Sequence, residues 1–121
     1  MGKFNSFEEI IAWQKARLFN KQLYEITNND IFKKDFELVR QIRKATISIS
    51  SNIAEGFERN TDKEFIYFLY VAKGSSAEVR SQLYLAFDFG YIRKDEFEEL
   101  LINITDISKL ISGLIKYLNK S

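Results

Sequence analysis

The chain has 121 residues, 45% of them hydrophobic and 29% charged, and 18 Lys+Arg against 17 Asp+Glu leave a formal net charge of +1. That is the length of one domain, residues 1–121, with enough apolar mass for a core and no global basic field that would demand a nucleic-acid partner. Cysteine and histidine are both absent, which excludes disulfides, Cys/His zinc sites, a cysteine nucleophile, a Ser-His-Asp triad and the Glu-x-x-His motif of di-iron bundles.

Taken in order, Ser6 and Glu9 have the spacing of a capping box, and Ala12, Ala16, Phe19, Leu23 and Ile26 follow at steps of four and three, which predicts a first helix over about 6–28. Asn28-Asn29-Asp30 is turn chemistry, and Ile31-Phe32 is expected to tuck into the end of the core before Lys33-Lys34-Asp35 starts the next element. Val39, Ile42, Thr46, Ile49, Ile53 and Phe57 mark the inner face of a second helix over about 36–56, read as ending at Gly56. Three serines and an asparagine sit inside it at Ser48, Ser50, Ser51 and Asn52. Helix propensity does not favour them there; either they let a neighbouring helix approach closely or they form a shared polar surface.

Phe65 to Ala72 is the longest apolar run, eight residues rich in strand formers. Its flanks favour a helix. Thr61 with Glu64 forms a capping box, and Phe65, Phe68, Ala72, Ser75, Val79, Leu83 and Ala86 continue the helical spacing over about 61–89, up to Gly90. Asp95 and Glu98 open a fourth helix over about 95–118, with a heptad seam of Phe97, Leu100, Ile104, Ile107, Ile111, Leu114 and Leu118. No proline interrupts any of them. Four amphipathic helices with short connections predict an all-α, antiparallel up-and-down four-helix bundle.

Eight apolar residues fall far short of the roughly 20 needed to span a bilayer, so no membrane association is expected. Lys3, Glu8, Glu9, Lys15 and Arg17 interrupt any signal-peptide core, and the expected location is cytoplasmic.

The seams leave apolar residues over. Ile10, Ile11, Trp13, Leu18 and Tyr24 lie off the first helix's seam, Ile47 and Ala54 lie on the second helix's opposite face, and Leu101, Leu110 and Ile115 widen the fourth. Scattered surface hydrophobes are normal, but contiguous ones mark association sites; Ile11, Leu18, Ile47 and Ala54 are therefore candidate oligomer-interface residues. On the third helix, Ile66, Tyr70, Lys73, Ala77, Arg80 and Tyr84 alternate aromatics with cations. Tyr70, Lys73, Arg80 and Tyr84 suit base stacking and phosphate neutralisation, with Arg40, Arg43 and Lys44 extending the surface; the alternative is a solvated face closing the core margin. Glu55 and Glu78 lack a positioned partner for acid-base work, and one of them is expected to pair with Arg43 between helices. Gly74-Ser75-Ser76 lacks the strand, spacing and lysine of a phosphate loop and is read as a close helix crossing.

Several blocks carry a resemblance: Ala12-Trp13-Gln14-Lys15-Ala16, Gln41-Ile42-Arg43-Lys44-Ala45 with Ser48-Ile49, Ser51-Asn52-Ile53-Ala54-Glu55-Gly56, and Glu64-Phe65 with Phe68-Leu69, Ala72, Gly74-Ser75 and Glu78. Together they resemble the four-helix bundle family encoded in intervening sequences of bacterial 23S ribosomal RNA genes. Lys44 stands where an arginine is commoner, which keeps the charge and loses the planar fork. The resemblance implies a bacterial source and ring-shaped homo-oligomers, pentamers in particular; it does not imply an activity, and with cysteine and histidine both absent no enzymatic activity and no cofactor are expected. Similar bundles serve diversity-generating reverse transcriptases as accessory proteins, where a basic ring surface contacts RNA and the enzyme, so RNA or an RNA-bound protein is the implied partner, with Arg40, Arg43 and Lys44 as the residues to test. A homo-oligomeric protein-protein scaffold with no nucleic-acid role is the competing expectation.

Overall fold

Side-chain caps set where the second and third helices begin in the computed structural model, which describes residues 4–120. A single 3-10 turn, Phe7–Glu9, precedes α1 (Ile11–Thr27); α2 spans Phe36–Phe57, α3 Asp62–Asp88 and α4 Lys94–Asn119. Asp35 caps α2 by accepting the Leu38 N–H at 3.1 Å, and Thr61 caps α3 by accepting the Glu64 N–H at 3.1 Å. Helix α3 closes with a Schellman motif: Tyr91 N–H donates to the Ala86 carbonyl and Gly90 N–H to that of Phe87, with Gly90 at φ 78°, a left-handed conformation natural to glycine.

Two predicted caps are corrected. The Ser6 side chain caps nothing; the Glu9 carboxylate accepts the Asn5 N–H at 3.1 Å, and α1 starts only at Ile11. The reason is Ile10, which the extended backbone between the 3-10 turn and α1 drops into the core rather than leaving off the seam. At α4, Glu96 rather than Glu98 reaches back, accepting the Arg93 N–H at 2.9 Å.

Each helix packs on the next in sequence, and α1 closes against α4. Contacts run in opposite residue order within each pair of helices, Ser48–Ser75 with Gly56–Phe65, Asn20–Ser50 with Thr27–Arg43, and Lys15–Asp106 with Gln22–Glu99, so neighbours are antiparallel. This is an all-α four-helix bundle, as the spacing predicts. Leu23, Ile42, Ile53, Leu69, Leu83, Leu100, Ile104 and Ile111 lie at its centre, all fully buried. The predicted seams hold in register but shift by one residue where the helical drift favours it: Thr27, Leu69, Ser76 and Ile115 are buried, while Ile26, Phe68, Ser75 and Leu114 are half-buried. Of the pair expected to plug the lower end, Phe32 is buried and Ile31 is exposed. Asn29 holds the plug: its side-chain oxygen accepts the N–H groups of Ile31 and Phe32, and its amide donates to the Tyr91 carbonyl.

Gly56 does not end α2. It lies one residue inside the helix, buried, and a Cβ there would stand 2.7 Å from Phe68 Cβ and 2.9 Å from Phe65 Cδ1. Its role is close approach of α3. The small polar residues serve the same interface. Ser75 Oγ donates to Ser48 Oγ at 2.9 Å, and Asn52 Nδ2 donates to the Ser48 hydroxyl and carbonyl. Gly74 is exposed and takes no part in that crossing.

Candidate nucleic-acid interface

The N-terminal half of α2 and the C-terminal half of α1 enclose an open groove of about 480 Å³, lined by Tyr24, Phe36, Val39, Arg40, Arg43, Lys44 and Ile47. Three of these side chains are cationic and none is acidic. Asp35 starts α2 at a point that places Arg40 and Lys44, one turn apart, on the outer face, where both are exposed. Neither makes an ion pair or a side-chain hydrogen bond among the described residues. Arg43 is committed differently. Its guanidinium lies 4.1 Å from the Tyr24 ring centroid, and Nε donates to Thr27 Oγ1 at 2.9 Å. The stacking and the hydrogen bond fix a cation at the floor of the groove.

This geometry corrects the expected ion pair. Arg43 pairs with neither Glu55 nor Glu78: Glu55 faces Arg59 at 4.0 Å, and Glu78 accepts from Gln82 at 3.3 Å. The C-terminal end of α1 offers Arg43 an aromatic face and a hydroxyl within one side-chain length, and both glutamates lie elsewhere.

Phe36, the first residue of α2, is 79% exposed at the groove's edge. Sequence reasoning missed it because a residue at the helix start falls outside the seam count; its signal is a large aromatic directly after an N-cap. Ile47, expected at an oligomer interface, lines the same groove, and Ala54 is half-buried one heptad further on.

The third-helix residues form a separate surface. Tyr70 and Lys73 line an α3/α4 groove of about 320 Å³ together with Ser112, Ile115, Lys116, Asn119 and Lys120. Because the helices pack in cyclic order, this groove lies on the opposite side of the bundle from Arg40 and Lys44. Arg80 is exposed, and Tyr84 packs edge-on against Phe97 at 5.1 Å near the other end of α3. Lys116 and Lys120 escape a reading of the sequence because nothing local says that α4's last turns face Lys73.

Among the described residues no cluster of three or more Asp or Glu is arranged to hold a metal ion, and no helix is long and apolar enough to cross a membrane. The fold and these grooves define an all-helical bundle whose chemistry lies on open surfaces. The profile of the 23S rRNA-intervening sequence proteins matches residues 8–113, and the chain belongs to that family. It is also similar to a crystal structure of a protein of unknown function from the S23 ribosomal protein family of Bacteroides thetaiotaomicron, with 27% identity and a TM-score of 0.81 over 88% of this chain and 99% of that one. No curated protein is a significant match.

Proposed function

We propose that this protein is a non-catalytic, homo-oligomeric module that binds RNA or a ribonucleoprotein through the α1/α2 groove. The observation that carries this reading is the lining itself: Arg40 and Lys44 are exposed and unpaired beside Tyr24 and Phe36, with no carboxylate among them. Single-stranded nucleic acid is held by such a pairing, cations on phosphate and aromatic faces on bases. Arg43 contributes mainly to the groove's shape, since Tyr24 and Thr27 already occupy its guanidinium.

The test is fluorescence anisotropy of a labelled single-stranded RNA across a salt series. Each phosphate neutralised contributes about 0.7 to the slope of log K against log salt. Arg40→Ala with Lys44→Ala is expected to weaken binding and lower that slope by about 1.4; an affinity indifferent to salt and to the double variant overturns the reading. A scaffold role is the second reading, favoured by the exposure of Phe36 and Ile47 in the same groove. Ile47→Asp would then dissociate the assembly at unchanged helical content, and the double variant would have no effect.

A further inference from the structure

We propose that the α3/α4 groove is a second binding site, independent of the RNA reading, and that its ligand is a nucleoside triphosphate. Lys73 reaches the groove from α3, and Lys116 and Lys120 reach it from the end of α4. All three are exposed, and none makes an ion pair or a side-chain hydrogen bond among the described residues. No carboxylate lines the groove. The sequence extends that exclusion along both helices, with no Asp or Glu from Phe65 to Ala77 and none from Ile107 onward. Elsewhere on the surface cations find partners, Lys15 on Asp106, Lys33 on Asp30 and Arg59 on Glu64.

Lys116 and Lys120 stand one turn apart, a like-charge spacing that destabilises a helix. The negative end of the α4 dipole offsets part of that cost. Lys73 has no such offset, because it lies well inside α3. A bound polyanion relieves the repulsion among all three. One phosphate group carries a charge of about −1.5 to −2 near neutral pH, so three lysines exceed its needs and match a chain of linked phosphates. Each ammonium is a point charge with rotatable donors, and Ser112 and Asn119 add a hydroxyl and an amide beside them. Tyr70, 54% exposed at the wall of the groove, offers a ring face on which a base stacks. The volume of about 320 Å³ is that of a small-ligand site rather than a track for a strand.

The experiment is isothermal titration calorimetry at low salt without divalent cations, using ATP and, separately, inorganic tripolyphosphate, with helical content checked by circular dichroism. Lys73→Ala, Lys116→Ala and Lys120→Ala are each expected to weaken ATP by about threefold to tenfold. Lys109→Ala removes the same charge from an exposed position on α4 outside the groove and should change little. Tyr70→Ala should weaken ATP and leave tripolyphosphate unaffected. No heat with millimolar ATP overturns the proposal, and so does an equal loss at Lys109 and at the groove lysines, which would mean diffuse attraction. Tripolyphosphate bound as tightly as ATP, with Tyr70→Ala silent, overturns the nucleoside part. A single-stranded RNA with a 5′-hydroxyl end is expected to leave ATP in place; displacement would make this groove part of an RNA path and overturn the nucleotide assignment, whereas loss of RNA binding at Arg40 and Lys44 leaves it standing.

Discussion

The α2/α3 and α1/α4 contacts belong to one bundle and are built on different principles. Between α2 and α3 the backbones approach closely because the side chains are small: Gly56 admits Phe65 and Phe68, and Ser48, Asn52 and Ser75 satisfy one another. Between α1 and α4 the margin is polar and partly exposed to solvent. Lys15 pairs with Asp106 at 3.1 Å, Gln22 donates to Glu99 at 3.1 Å, and Asn103 donates to Gln22 at 3.1 Å. A close contact tolerates no added atom, whereas an exposed polar margin loses little when one pair is removed.

Substitutions at two glycines give the largest expected effect. Alanine is the better helix former by about 1 kcal/mol, but at position 56 its Cβ would meet Phe68 Cβ, which the α3 backbone holds in place. The overpacking term reaches about 3 kcal/mol, so Gly56→Ala is expected to lower the urea midpoint. Gly113 in α4 has nothing within 4 Å of its would-be Cβ, and Gly113→Ala should raise stability by about 0.4–1 kcal/mol. Equal responses at the two sites would erase the contrast.

Next comes pH, acting through the link between the start of α2 and the turn after α3. Tyr91 O–H donates to Asp35 Oδ2 at 2.7 Å. The Leu38 N–H and then the Tyr91 hydroxyl hold the Asp35 carboxyl below its ordinary value, and Asp35 in turn raises the Tyr91 phenol. A depressed carboxylate contributes stability above its unfolded pKa of about 3.9, lost as pH falls through the lower folded value. A raised phenol contributes below its unfolded pKa of about 10, lost as pH rises past it. Thermal midpoints should therefore plateau between these limits. Tyr91→Phe should flatten the alkaline limb and only reduce the acid one, because the Leu38 bond remains; an unchanged alkaline limb would remove the tyrosine from the account.

Lys15→Ala should have the smallest effect. Both partners of its ion pair are about half exposed, and such a pair is worth about 0.2–1 kcal/mol. A loss above 2 kcal/mol by chemical denaturation would show that the α1/α4 margin is more tightly coupled than its geometry indicates.

Much of this architecture is legible in the sequence because helix signals are local. Asp35 and Thr61 lie at the positions where they cap, and the seam of α2 is buried as spaced from Ile42 to Ile53, while at its ends Leu38 and Gly56 are buried and Val39 and Phe57 are half-buried. Gly56 reads as a terminus in the sequence because a glycine that ends a helix and one that admits a neighbour look alike until the neighbour is placed. Ser6 departs from its capping-box pattern because burial of Ile10 outweighs the cap. For the candidate site, Arg40 and Lys44 are legible as an exposed cationic turn. Arg43 is not: opposite charge suggested Glu55 or Glu78, and the actual partners, Tyr24 and Thr27, are set by how α1 crosses α2. The stripe on α3 is also real in outline, but whether it continues toward α2 or α4 depends on packing alone.

Trp13 is the chain's one tryptophan. It is half-buried beside the start of α1, edge-on to Phe7 at 5.1 Å and with the Arg17 guanidinium 5.9 Å from its ring. Its emission therefore reports on the α1 end of the molecule, while far-ultraviolet dichroism reports on all four helices. If the polar margin lets α1 peel away before the α2/α3 pair separates, the two optical signals will part company during unfolding, the fluorescence change arriving first.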